Sequence, residues 1–362
     1  MCILAAFAYI YQIGSNATSK GESIMRAIGY KSSKPVTETD ALVDFELPVP
    51  EAKGHDLLVE VKAVSVNPVD TKVRRNQPPE NGQTRILGFD AAGIVKAVGE
   101  GVTLFKPGDE VFYAGAINRP GSNSEFHLVD ERIVGKKPQS LSFEEAAALP
   151  LTAITAYEAL FDRLKVKDPV AGGANAIVII GGAGGVGSIA IQLARQLTDL
   201  TIIATASRPE TKEWVAQLGA HHVIDHSQPI APQVEALGLG APSFIFSTTN
   251  SDAHAAASVA LIAPQGRYCL IDDPAGGFDA MPFKRKAISI HWEMMFARPV
   301  FETADILEQH KLLNHVSELV DTGKIKTTLT DVFGKINAEN LIRAHALIES
   351  GTAKGKIVLA GF

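Results

Sequence analysis

Residues 176–180 form a wholly apolar run that empties into Gly181-Gly182-Ala183-Gly184-Gly185-Val186-Gly187 before an amphipathic pattern begins at Ser188. A buried strand, a tight glycine turn and a helix in that order commit this stretch to a βαβ unit, and through it to a parallel sheet. Gly182, Gly184 and Gly187 fit G-x-G-x-x-G, in which each missing Cβ would obstruct the turn, an approaching pyrophosphate or the packing of helix on strand. The amides of Gly184, Gly185, Val186 and Gly187 can then face an anion at the positive end of the helix dipole. A second apolar run, 201–206, ends at Ser207-Arg208, where NAD enzymes usually place a carboxylate that accepts from the ribose 2′-OH. A hydroxyl and a guanidinium donate instead, which suits a 2′-phosphate. The pattern predicts a dinucleotide site that favours NADPH over NADH.

Apolar runs recur at 222–224, 244–247, 266–271 and 288–291, with helical patterns between them. Together with the first two runs they supply six strands, enough for a complete doubly wound α/β sheet. Such sheets bind ligands at strand C-termini, which marks Ser247, Thr248 and Ile271 as coenzyme-pocket residues, with His226 at its edge. His221, His222 and His226 do not read as a metal cluster, because the strand between them cannot hold residues four apart on one helical face.

Before this region, residues 25–150 carry short strands and turns, among them 57–66 and 106–112, and predict a β-rich domain. Ser142 and Glu145 have capping-box spacing, Pro150 interrupts the helix they open, and helical spacing resumes over 152–164. After Trp292 come helical patterns at 301–321 and 338–350 and a strand at 355–359 expected to rejoin the first domain. The expected division is 25–150 with 296–362 in one domain and 151–295 in the other. Residues 1–13 are apolar but too short to span a bilayer and lack a basic flank, so residues 1–24 are expected to be an appendage rather than an anchor.

A formal charge of -6 argues against a nucleic-acid surface, and 362 residues with 46% hydrophobic content can bury two cores. Cys2 and Cys269 are too few for a disulfide framework or a four-cysteine zinc site, and fit a reducing compartment such as the cytoplasm.

Val66-Asn67-Pro68-Val69-Asp70, Leu87-Gly88-Phe89-Asp90-Ala91-Ala92-Gly93, Pro107-Gly108-Asp109-Glu110-Val111, Leu149-Pro150-Leu151-Thr152-Ala153, the glycine turn and Gly355-Lys356-Ile357-Val358 together resemble the medium-chain dehydrogenase/reductase superfamily. The resemblance spans residues 25–362 and is to the zinc-free quinone-oxidoreductase-like members; 113–127 and 292–296 look like a bacterial subgroup of zinc-type alcohol dehydrogenase-like proteins. It implies a Rossmann sheet plus a GroES-like β-rich domain, and a homodimer formed near residues 286–291. Zinc enzymes of the superfamily carry Cys where Asn67 stands and His-Glu where Phe89-Asp90 stand, so the resemblance implies no metal. It also places Asn67 near the nicotinamide and the acceptor, Thr152 on the nicotinamide side, Lys72 at a substrate or coenzyme oxygen, and Lys356 near the coenzyme. Tyr113, Arg119, His291 and Trp292 are further pocket candidates.

Without a Lewis acid, simple alcohol oxidation loses what stabilises the developing alkoxide, whereas a quinone or α,β-unsaturated carbonyl delocalises the charge of an incoming hydride. The expected activity is NADPH-dependent reduction of such a small molecule. A non-catalytic NADPH-binding sensor and a zinc-dependent alcohol dehydrogenase are the alternatives.

Overall fold

The computed structural model describes residues 23–80, 83–274 and 276–362; the appendage expected at the N-terminus falls, for residues 1–22, outside them. The chain divides into two compact units. One takes the described residues through Leu151, then Phe296–Thr322 and Leu329–Phe362; the other takes Thr152–Met295 and Gly323–Thr328.

The first unit opens with β1 (Ile24–Tyr30), β2 (Val43–Pro48), β3 (Asp56–Val66), β4 (Arg85–Ile86), β5 (Ala91–Val98), β6 (Glu110–Tyr113), β7 (Phe126–Asp130) and β8 (Val134–Lys136). β2, β1 and β4 form a small antiparallel sheet. β3 alternates buried and half-buried positions as far as Lys62, the period of a strand with one face in the core, and is buried throughout from Ala63 to Val66. Its buried end leads into Asn67 and the helix Pro68–Asn76, where Pro68 fills the first turn.

In the second unit, β9 (Ala174–Ile180), β10 (Thr201–Thr205), β11 (His222–Ile224), β12 (Pro242–Ser247), β13 (Arg267–Leu270) and β14 (Ser289–Trp292) are all parallel, in the order β11-β10-β9-β12-β13-β14. β9 lies inside the sheet, and its last five residues are buried, as the Ile/Val run of a strand covered on both faces should be. The chain moves outward through β10 and β11 and then returns to β12 on the other side of β9. This reversal is the point where a doubly wound sheet opens a crevice beyond its strand ends.

Two strands close the first unit, β15 (Leu329–Val332) and β16 (Lys356–Ala360). β16 runs antiparallel to β3 with Ile357 opposite Val66, so the final strand does return to the sheet β15-β16-β3-β5-β6-β8. The architecture is mixed α/β, a doubly wound parallel sheet and a β-rich unit. The Ser142 box forms, with Ser142 N donating to Glu145 at 2.9 Å and Glu145 N to Ser142 Oγ at 3.2 Å. The helix expected over 152–164 is instead Pro150–Tyr157 followed by a π turn, Glu158–Arg163, and the one expected over 301–321 is broken into Ala297–Phe301 and Leu307–Asp321 by Glu302 at φ 43°. Among the described residues no helix is long and apolar enough to cross a membrane.

The helices Pro68–Asn76 and Ala338–Glu349 pack together and bury Arg74 and His345 completely. Arg74 donates to the Lys34 carbonyl and to Glu349 while its Nε has no hydrogen-bond partner, and neither ring nitrogen of His345 has one. Burial, with the Arg74 guanidinium nearby, pushes the His345 pKa down to about 3. The native ring therefore stays neutral while an unfolded histidine protonates near its ordinary pKa of about 6.5, so stability is lost as pH falls from there toward the native value. His345→Leu is expected to flatten this dependence and to raise unfolding free energy by about 2 kcal/mol at about pH 5 relative to the parent. Urea titrations at several pH values measure it; an unaltered pH slope would clear His345 of the effect.

Candidate functional site

At the end of β9, Gly181 turns with φ 80°, which a side chain rarely adopts, and a Cβ there would sit 2.4 Å from Thr248 Oγ1. Two bonds tie the turn to β10: Gly181 N donates to Thr205 Oγ1 at 3.0 Å and Gly182 N to the Thr205 carbonyl at 3.1 Å. Gly184 caps the helix Gly185–Leu197. The glycines serve different ends. A Cβ on Gly187 would lie 2.3 Å from the Gly181 carbonyl oxygen, so that glycine is required for helix and turn to pack. On Gly184 a Cβ would meet only that oxygen, at 3.5 Å, which leaves open space in front of the helix. The amides of Gly185, Val186 and Gly187 belong to the first turn, where no helix carbonyl accepts from them. Open backbone and unclaimed donors at a dipole's positive end fit the pyrophosphate of a dinucleotide.

Ser207 and Arg208 follow β10, both half-buried, with Arg208 Nε 3.1 Å from Glu210. His226 lies beyond β11 with Nδ1 3.1 Å from Thr205 Oγ1, and Lys212 meets Asp225 at 2.8 Å in the same region. Thr248 donates to the Ile180 carbonyl at 2.8 Å and seals the back of the turn, while Ile271 stands half-buried beyond β13. Ser247 departs from expectation: it is fully buried, its hydroxyl 2.8 Å from Ser251 Oγ in a network that Asp272 completes as the cap of helix Ser251–Leu261. Its position at a strand end is as read from the sequence, but the side chain points into the protein.

The first unit holds a buried polar cluster that connects residues far apart in the chain. Lys356, at the start of β16, directs its ammonium to the Val66 carbonyl at 3.0 Å, Asn67 Oδ1 at 2.5 Å and Asp90 Oδ2 at 3.0 Å. Asp90 also accepts from Asn67 Nδ2 at 2.8 Å and Leu151 N at 2.7 Å. Asp70 accepts from Asn67 N at 2.8 Å and Gly88 N at 3.0 Å. All four side chains are at most 3% exposed. Burial drives both carboxyls upward, Asp70 to about 7, and the Lys356 charge works against it in each case. Asp90 keeps the negative charge, because three donors including the ammonium converge on it; Asp70, with two backbone amides, is the group that takes up a proton near neutrality.

These contacts correct two expectations. Lys356 has three ammonium donors and all three are engaged inside the cluster, so it is not directed at a coenzyme. The Asn67 amide is likewise used on both sides, and the residue positions Lys356 and Asp90 rather than facing an acceptor. The same contacts test the zinc site of related enzymes. Neither sulfur nor imidazole is present at Asn67 and Phe89, and the one carboxylate there already neutralises an ammonium, so these residues do not fit zinc. Among the described residues no group of three or more potential metal-binding side chains occurs.

Thr152 is 2% exposed in the helix Pro150–Tyr157, and Lys72 is half-buried in the helix Pro68–Asn76. Tyr113 is fully buried, stacked on His127, and Arg119 is held by Asp56 through two bonds of 2.8 Å; both are structural rather than pocket residues. His291 and Trp292 lie in β14, the edge strand, with Trp292 58% exposed.

Two family models match the chain, the alcohol dehydrogenase GroES-like domain over residues 53–139 and the zinc-binding dehydrogenase over 218–359. A zinc-type alcohol dehydrogenase-like protein of Staphylococcus aureus is 41% identical over 92% of this chain and 99% of its own length. The 2-methylene-furan-3-one reductase of Solanum lycopersicum is 30% identical over 88% of this chain and 74% of its own. A solved structure from Rhizobium etli, named as a candidate zinc-dependent alcohol dehydrogenase, is 66% identical with a TM-score of 0.93 and covers 94% of this chain and 99% of its own.

The cluster has a stability consequence. Lys356→Met leaves Asp90 buried without its counter-charge and is expected to cost about 3 to 5 kcal/mol in urea unfolding. Adding Asp90→Asn should restore part of that loss; a double variant no more stable than the single one would show that the pair is not what couples these residues.

Proposed function

We propose, for a chain that belongs to the medium-chain dehydrogenase/reductase superfamily, that it is an NADPH-dependent reductase of small quinones or α,β-unsaturated carbonyls that works without zinc. The observation that carries the reading is the pairing of an open glycine turn with Ser207-Arg208 at the end of β10. Bound there, NADPH supplies a hydride. The first-turn amides from Gly185 to Gly187 hold the pyrophosphate, and Gly184 leaves room for it. Ser207 and Arg208 donate to the 2′-phosphate, with Thr248, Ile271 and His226 forming the pocket rim. Thr152 is assigned to the nicotinamide, and Lys72 to a hydrogen bond or proton at the acceptor's oxygen.

The Lys356 cluster supports the proposed acceptor class. An ammonium enclosed by protein groups occupies the ligand positions and offers no Lewis acid to an alkoxide, whereas a conjugated carbonyl spreads incoming charge onto an oxygen that needs only one donor and one proton. The name of the tomato relative describes a ketone conjugated to a methylene group, which supports this class. Two cysteines and a -6 charge suit a cytoplasmic protein, and the exposed edge strand β14 suits a homodimer.

NADPH oxidation with a panel of quinones, enones and simple alcohols tests the reading, alongside zinc analysis of the purified protein. Turnover of conjugated acceptors with sub-stoichiometric zinc is expected. Bound zinc with alcohol turnover would favour the metal enzyme, and tight NADPH binding with no turnover a sensor. Arg208→Ala should weaken NADPH by about 1.5 kcal/mol and leave NADH nearly unchanged, the low end of the range for a charged hydrogen bond because Glu210 must first be displaced. Gly184→Ala should keep the melting temperature while weakening both coenzymes.

A further inference from the structure

His226 stands at the end of β10, the strand that leads into Ser207 and Arg208, and His254 faces His226. His226 Nδ1 lies 3.1 Å from Thr205 Oγ1, and the same hydroxyl accepts from Gly181 N at 3.0 Å. Thr205 is fully buried, and its hydroxyl lies within hydrogen-bond distance of both the Gly181 amide and the His226 ring. Either neutral tautomer of His226 satisfies this contact, with Nδ1 accepting the Thr205 proton or donating to its oxygen. Across from it, His254 on the helix Ser251–Leu261 presents its ring edge-on, with centroids 6.5 Å apart and planes at 66°.

Resting on the NADPH reading above, we propose that His226 and His254 make the grip on the coenzyme's 2′-phosphate tighten as pH falls, by taking up protons when the phosphate binds.

The surroundings support it. Both rings are partly buried, which lowers their pKa values. Around His226, Lys212 lowers it further and Asp225 opposes; around His254, His226 lowers it, while Asp252 on its own helix and Asp272 beyond β13 oppose. The nearby acids are already committed: Asp225 to Lys212 at 2.8 Å, Asp272 to Ser251, and Glu210 to Arg208 at 3.1 Å. Before a phosphate binds, the histidines are therefore biased toward their neutral form, and the acids beside them are already engaged in hydrogen bonds or ion pairs. A phosphate brings about 1.5 to 2 negative charges at neutral pH and favours the imidazolium form of each ring. Protonation does not break the turn, because Thr205 Oγ1 has a second lone pair and can accept from both His226 and Gly181.

Calorimetric titration of the whole chain with NADP+ and NAD+, each in two buffers of different ionisation enthalpy, reads affinity and proton uptake together. NADP+ binding is expected to be roughly 5-fold tighter at about pH 6 than at about pH 8, with uptake of roughly half to one proton near pH 7, even though protonation of the phosphate itself works the other way. NAD+ should change less than about twofold. His226→Gln should remove most of the uptake and of the pH dependence, and His254→Gln a smaller share, so either variant can carry the test if the other misfolds. NADP+ that binds with no proton uptake, or a pH dependence shared equally by NAD+, would overturn the inference and leave the coenzyme reading standing. Failure of both coenzymes to bind at any pH would end both.

Discussion

One ammonium organises the first unit. Lys356 closes on the Val66 carbonyl, Asn67 and Asp90, and through Asp90 on the amide of Leu151, so the final strand, the end of β3, the turn before β5 and residue 151 are fixed at one point. Asp70 adds the helix Pro68–Asn76 and the Gly88 turn. Burying these charges costs several kcal/mol per ion, and only a saturated set of donors and acceptors offsets it. Saturation is what the geometry has: the three donors of Lys356 and both oxygens of each aspartate are bonded. A cluster built this way tolerates little change, because any single loss leaves a charge or a polar atom stranded in the core.

The nucleotide unit rests on a different principle, the removal of atoms. Gly187 allows the helix to sit on the turn and Gly181 allows the turn to pass Thr248, while Gly184 faces open space. The strand order then places Thr205, Thr248 and His226 around the turn, each reaching it or its neighbour through a hydroxyl or an imidazole. The motif is thus half packing and half open backbone.

This difference explains what could be read from the chain. The glycine turn, the six parallel strands and the Ser142 cap are local, written in neighbouring residues whose period or missing Cβ declares the structure. The polar cluster is not local. Asn67 and Asp70 share a helix-capping spacing and could have been paired from sequence, but Lys356 meets Asp90 across 266 positions, and no pattern near either residue announces it. The same holds for the buried carboxyls Glu158 and Glu293, for His345 under Arg74, and for the return of 323–328 to the second unit. Ser247 shows the limit in miniature: strand-end position is legible, side-chain direction is not, because it depends on where Asp272 caps the next helix.

On the proposed reading, the cluster also decides how the reaction would be divided between protein and substrate. A cation that is completely enclosed stabilises charge only on the groups that enclose it. Its field at an acceptor is already answered by Asp90, so developing negative charge must be dispersed by the acceptor's own conjugation and met by an ordinary hydrogen bond. Selectivity among acceptors then comes from shape and apolar contact, which discriminate weakly, by about 1 to 3 kcal/mol per methylene. A reductase built on these terms accepts a class of electrophiles rather than a single one, and binds its coenzyme with more specificity than its substrate.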